Sequence, residues 1–383
     1  MSVTVARGFR ASGVAAGIRS GSGPDLALVV NDGPLDAAAG VLTTNRVKAA
    51  PVLWTRQVLT TGRLTAVVLN AGGANACTGS AGFADTHATA EAVASALGIG
   101  AADVAVCSTG LIGERLPMDA VLPGVDKAAA ALSGTGGDDA ATAILTTDTV
   151  AKTAAATVDG WTVGGMAKGA GMLAPGLATM LCVLTTDAAV HAEDCDAALR
   201  AATARTFERV DSDGCMSTND TVLLLASGAS RRTAAPGDFA GAVERVCADL
   251  CRQLLADAEG ATKDVSVEVV GAATEADAVE VGRSVARSNL LKCALFGNDP
   301  NWGRVLAAVG TTSAAFEPEA LDVAINQVQV CRAGAAGEPR ELVDLSGRAV
   351  HVLVDLHAGV ATATVWSNDL SLAYVHENSA YST

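Results

Sequence analysis

Short apolar runs alternate along the chain with stretches in which apolar residues recur every three to four positions. That alternation is the pattern of a mixed α and β protein. Residues 26–30, 66–70, 104–107, 180–184 and 221–225 read as strands. Residues 265–269 alternate strictly, as a strand with one buried face does. Residues 351–356, a His357-Ala358-Gly359 turn and residues 361–366 predict a hairpin near the C-terminus. The clearest helix covers residues 238–258, where Val243, Val246, Leu250 and Leu254 share one stripe, Asp238 caps the first turn and Gly260 stops the last. Residues 86–97, ended by Gly98, and residues 192–205 predict two more helices. The polar run at residues 133–139 predicts a surface loop.

Composition sets the style of packing. Of 383 residues, 50% are apolar but only 3% aromatic, and 40 are glycine. The core must therefore be built from Ala, Val and Leu at close backbone approach, within one large domain or two of ordinary size. Charge then removes whole classes of partner. With 26 Lys and Arg against 41 Asp and Glu, the formal charge is −15 and no basic run offsets it. Such a surface repels nucleic acid and anionic membranes. The first ten residues lack a signal-type apolar core and no apolar run reaches spanning length, so the expected location is the cytoplasm. Nine cysteines without Cys-x-x-Cys pairing and five dispersed histidines predict reduced thiols and no metal site.

One segment concentrates unusual chemistry. Residues 164–171 are glycine-rich and contain Lys168, yet no Ser or Thr follows the lysine as a phosphate-binding loop requires. Read instead as a flexible stretch, they lead through a Pro175-Gly176 turn into an apolar strand with Thr179 at its mouth. A threonine held over the preceding carbonyl has the geometry for an N-to-O acyl shift. The resulting free amine of Thr179 then serves as its own general base. Taken alone, a threonine opening a strand more often reflects β-propensity.

Further motifs change that weighting. The chain carries Asn70-Ala71-Gly72-Gly73-Ala74-Asn75-Ala76-Cys77-Thr78-Gly79, Ser108-Thr109-Gly110-Leu111-Ile112-Gly113, Ser217-Thr218-Asn219-Asp220-Thr221, Glu259-Gly260-Ala261-Thr262-Lys263 and Phe296-Gly297-Asn298-Asp299-Pro300-Asn301-Trp302-Gly303-Arg304. Together with residues 168–184 and the last six residues, 378–383, these resemble the ornithine acetyltransferase (ArgJ) family of arginine biosynthesis over essentially the whole chain. The sequence departs from the family pattern at Gly176, commonly Asn, at Leu177, commonly Met, and at Cys215-Met216, where polar residues are common.

The resemblance implies an α/β, N-terminal-nucleophile-like αββα sandwich that cuts itself between Ala178 and Thr179. An α chain of residues 1–178 and a β chain of residues 179–383 would then associate as an α2β2 heterotetramer. By the same resemblance, Thr179 is the nucleophile and Thr109 and Gly110 form the oxyanion hole, while Thr146, Lys168, Thr179, Glu259, Asn378 and Thr383 bind substrate. Thr147 competes with Thr146 for its register, and the tail is expected to fold over the site. The implied reaction is acetyl transfer from N-acetylornithine to glutamate through an acetyl-threonine ester. It needs no metal or redox cofactor, and acetyl-CoA stands as a second donor still to be decided. A hydrolytic amidase or aminopeptidase of related fold is the enzymatic alternative; a non-enzymatic binding protein is the other.

Overall fold

All six residues of the strand Leu181–Thr186 are buried, although their side chains alternate between two faces. Leu181 and Val183 enter one apolar core, while Cys182 and Leu184 enter another. A strand buried on both faces belongs in the interior of a layered structure. The computed structural model, which describes residues 2–174 and 180–380, shows those layers.

Among the described residues, one sheet orders β1 (Phe9–Val14), β2 (Leu26–Asn31), β4 (Ala66–Gly73) and β5 (Val104–Leu111). A second orders β3 (Ala37–Leu42), β9 (Thr221–Ala226), β8 (Leu181–Thr186), β7 (Trp161–Lys168) and β6 (Lys152–Val158). Leu28, Val67 and Val106 of the first sheet share a core with Met166, Val183, Leu223 and Leu225 of the second. The helices Ala50–Val58, Gly79–Leu97 and Met118–Ala130 pack on the first sheet, and Ala192–Arg205 and Pro236–Ala256 pack on the second. The layers run α, β, β, α, as expected. Polar bonds add to the packing: Trp54 Nε1 donates to the Val104 carbonyl at 3.0 Å and Thr55 Oγ1 to the Val106 carbonyl at 2.7 Å, seating the first helix on β5.

A third sheet, outside the αββα expectation, holds the C-terminal third around its own core. Its order is β13 (Ala335–Ala336), β12 (Val328–Arg332), β11 (Asp322–Ile325), β14 (Ala349–Asp355), β10 (Asp264–Ala272) and β15 (Ala361–Asn368). This order corrects the predicted hairpin. The strands β14 and β15 both form but do not pair; β10 lies between them, parallel to β14 and antiparallel to β15. The connecting turn closes on β10 instead, with the Leu356 and Ala358 amides donating to the carbonyls of Val270 and Gly271.

Other expectations shift by a turn or change class. The long helix starts at Pro236, with Ala235 as its cap, so Asp238 lies inside the first turn and caps nothing. Proline at the first helical position needs no partner for its nitrogen. The helix ended by Gly98 (φ 69°) begins at Gly79, earlier than residue 86. Residues 137–139 of the predicted loop begin the helix Gly137–Ala143 instead. Most consequentially, residues 164–168 are not flexible but belong to β7, buried along nearly its whole length. A Cβ at Gly164 would meet the Ser2 carbonyl oxygen at 2.5 Å and one at Gly165 the Leu184 side chain at 2.6 Å, so these glycines admit close neighbours rather than motion. Among the described residues no helix is long and apolar enough to cross a membrane.

Candidate active site

The antiparallel register of β7 and β8 ends at Lys168 opposite Leu181. Their connection, residues 169–180, therefore carries the expected cut at one end of a central strand pair. Ala178 and Thr179 themselves, like Thr383, lie outside the described residues.

Lys168 closes β7 and is 2% exposed. Its Nζ donates to Thr146 Oγ1 at 3.1 Å. Burial lowers the affinity of this amine for its proton, and Asp148, Asp220 and Glu259 pull in the opposite direction. Asp148 organises the surroundings: its Oδ1 accepts from the Gly169 amide and from Lys152 Nζ, both at 2.6 Å. Burial would raise the Asp148 carboxyl, but the Lys168 and Lys152 ammoniums bring it below its ordinary value. Lys152 is fully buried and also bonds Asp257 at 2.5 Å. Removing one member of such a buried ionic group typically costs about 3–5 kcal/mol, because an uncompensated charge remains.

Glu259 arrives from the loop after the helix Pro236–Ala256. Its Oε1 accepts from Thr147 Oγ1 at 2.8 Å and its Oε2 from Asn378 Nδ2 at 2.9 Å. Thr146 and Thr147 thus serve different partners, Lys168 and Glu259 respectively. The Glu259 amide donates to the Ala170 carbonyl at 3.0 Å, and a Cβ at Gly171 would lie 2.6 Å from the Glu259 carboxylate. The segment that leaves β7 toward the expected cut therefore passes directly over this acid. Asn378 reaches it from the tail helix Leu372–Ala380, which rests on Gly260; there φ is +61° and a Cβ would sit 2.2 Å from the Tyr374 nitrogen.

Thr109 and Gly110 lie near the end of β5, against Ala71 to Gly73 of β4. Thr109 is 4% exposed. Gly110 has φ +130°, and a Cβ there would be 2.5 Å from the Gly72 carbonyl carbon and 2.6 Å from the Gly73 nitrogen. Its amide is thereby carried in a backbone conformation that side-chain-bearing residues rarely adopt.

Two residues that sequence reasoning left without a role join these halves. Asn219 Nδ2 donates to the carbonyls of Ala74 and Ser108, at 2.6 and 2.8 Å, fastening the segment before β9 to the ends of the first sheet. Its neighbour Asp220 is fully buried and its Oδ1 accepts from the Met180 amide at 3.0 Å. Burial pushes the Asp220 carboxyl well above the usual carboxylate range, against the opposing pull of the Met180 N–H and Lys168. The signal was present, since both belong to the Ser217-Thr218-Asn219-Asp220-Thr221 motif, but their partners lie 40 to 145 positions away.

The arrangement presents a buried amine, Lys168, and a carboxylate, Glu259, at the first residues of one strand connection. Their opposite signs suit a zwitterionic amino acid. Comparisons with known proteins point to one family. The family model described as the ArgJ family matches residues 10–383. The arginine biosynthesis bifunctional protein ArgJ of Streptomyces avermitilis is 69% identical, covering 100% of both chains. A solved ornithine acetyltransferase of Mycobacterium tuberculosis, complexed with ornithine, is 65% identical over 47% of this chain and 96% of its own, with a TM-score of 0.45. The arginine biosynthesis bifunctional protein of Bacillus halodurans is 36% identical over 52% of this chain and 98% of its own, with a TM-score of 0.50. The chain belongs to the ArgJ family.

Proposed function

We propose that this protein is an arginine-biosynthesis acetyltransferase that cuts itself between Ala178 and Thr179 and then carries acetyl groups on Thr179. The observation that carries this reading is the convergence of Lys168, Thr146, Thr147, Glu259 and Asn378 on the one strand connection containing Thr179. The half-length solved Bacillus halodurans chain fits a family member separated into two chains near its middle.

In the cut, Thr179 Oγ attacks the Ala178 carbonyl, the C–N bond breaks, and water hydrolyses the resulting ester. This leaves a carboxylate on Ala178 and a free amine on Thr179. Asp220 holds the Met180 amide, immediately after Thr179 in the sequence, at the start of β8.

In transfer, Thr179 Oγ attacks the acetyl carbonyl of N2-acetyl-L-ornithine while its own amine takes the hydroxyl proton. Thr109 and Gly110 stabilise the tetrahedral oxyanion. Ornithine leaves with the proton; the amine of L-glutamate then attacks the ester, giving N-acetylglutamate and restoring the hydroxyl. Lys168 pairs with a substrate carboxylate and Glu259 with an ammonium. Acetyl-CoA is a second donor, its thiol leaving in place of ornithine; the bifunctional designation of the relatives supports this. The two chains assemble as an α2β2 heterotetramer in the cytoplasm, with no metal or redox cofactor.

Intact mass and a two-donor assay test the proposal together. Purified protein should resolve into pieces of 178 and 205 residues, and glutamate should be acetylated from acetylornithine and from acetyl-CoA. A single full-length species, or release of acetate in preference to transfer, would favour the binding-protein or hydrolytic alternative.

A charge-neutral exchange probes recognition separately. Glu259→Gln keeps an acceptor for Thr147 but removes the negative charge. It is expected to raise KM for acetylornithine by about tenfold or more, the scale of a lost charge-assisted bond, while kcat changes less. An unchanged KM would remove Glu259 from substrate recognition.

A further inference from the structure

Away from this site, a cleft of about 1070 Å³ opens between the helix Glu275–Ala286, the helix Trp302–Val309 and the turn Phe207–Arg209. Four arginines line it: Arg209, Arg283, Arg287 and Arg304. Two are matched by acids, Arg209 with Glu275 and Arg287 with Asp211, each at 2.5 Å. The other two are not. Arg283 donates from Nη2 to the Glu208 carbonyl at 2.8 Å, while its Nε is buried without a hydrogen-bond partner. Arg304 donates from Nη1 to the Leu290 carbonyl. Among the described residues neither forms a salt bridge, and the nearby Glu280 is occupied by the amide and hydroxyl of Ser313. Burial, together with the crowding of Arg287 and Arg209, weakens the hold of Arg283 on its proton, against the pull of Asp211 and Glu208.

Glu208, Glu275 and Glu280 also line the cleft, but Glu275 is taken up by Arg209 and Glu280 by Ser313, so among the described residues Arg283 and Arg304 are the two guanidiniums there with no carboxylate bonded to them. Arg304 also ends the Phe296–Arg304 motif, which turns the corner between two helices with Trp302 packed on the third core; Asn301 and Gly303 of the same motif line the cleft.

We propose that this cleft is a binding site for a small oxyanion carrying at least two negative charges, held by Arg283 and Arg304 with Arg209 and Arg287 at its margin. Planar guanidinium forks match phosphate and carboxylate oxygens alike, and the ligand would supply the missing partner for Arg283 Nε.

The test is titration calorimetry on the purified, self-processed enzyme with sodium pyrophosphate, sodium citrate and sodium chloride at matched ionic strength. Pyrophosphate or citrate should bind and chloride should not; whichever binds more tightly assigns the phosphate or the carboxylate class. The double variant R283Q/R304Q should lose at least about tenfold in affinity, with acetyl transfer unchanged. Should the double variant fail to fold, R304Q alone removes a single backbone bond and should still weaken binding. E275Q, which releases Arg209 from its acid, should tighten it. The proposal is overturned if neither polyanion binds beyond chloride, or if R304Q and E275Q bind as the parent does. Dissociation of an oligomer by R304Q with no anion binding would assign these arginines to a subunit contact instead.

Discussion

Replacing Thr179 with alanine is expected to leave a single uncut chain of 38.1 kDa and to abolish acetyl transfer, with kcat/KM falling by on the order of 10⁴ or more. Both losses follow from one atom. In the proposed mechanism the hydroxyl that attacks the Ala178 carbonyl during processing is the one that later accepts acetyl, and without processing the amine needed as base remains locked in a peptide bond. Thr179→Ser retains the hydroxyl and should therefore still cut and still transfer, more slowly where the methyl group helps to orient the oxygen. Mass spectrometry of freshly purified protein, followed by acetyl transfer to glutamate, reads both properties from one sample. An alanine variant that still separated into pieces of 178 and 205 residues and remained active would sink the mechanism.

Gly110→Ala should lower kcat by about 10²–10³ with a smaller change in KM, the typical consequence of losing one oxyanion donor. The structural argument is independent of the catalytic one. At φ +130°, a Cβ would lie 2.5 Å from the Gly72 carbonyl carbon and 2.6 Å from the Gly73 nitrogen. Those are backbone atoms of the paired strand β4 and cannot rotate away, so the end of β5 must move and carry the 110 amide with it. Gly113 provides the control. It also has a positive φ, +91°, yet nothing lies within 4 Å of a Cβ placed there. Gly113→Ala introduces comparable backbone strain without the collision, and its kcat should stay within about twofold of the parent. Equal losses in the two variants would mean that strain alone, and not the placement of the 110 amide, explains the effect.

Strands such as β2, β8 and β9 were legible because they are short apolar runs buried on both faces, a local property of the residues themselves. Local patterns misled wherever a distant neighbour set the outcome. The glycines at 164 and 165 suggest flexibility when viewed alone; in the fold they sit in a buried strand because Ser2 and Leu184 press against them. The segments around 351 and 361 have the spacing of a hairpin, but β10, whose valines at 265, 267 and 269 fill the same core, takes the place between them.

The site divides in the same way. Lys168, Glu259 and Asn378 are nominated by motif resemblance, which names them but not what they touch. That Thr146 serves Lys168 while Thr147 serves Glu259 required coordinates, as did the bridging roles of Asn219 and Asp220. By itself, then, the sequence determined the class of elements and the family and nominated the site residues, because periodicity and motifs are written in consecutive positions. Strand order, the pairing of each threonine and the accumulation of unmatched guanidiniums at Arg283 and Arg304 were decided only by tertiary structure. Each depends on which distant side chain or backbone atom arrives within hydrogen-bonding or contact distance, and no local pattern encodes that.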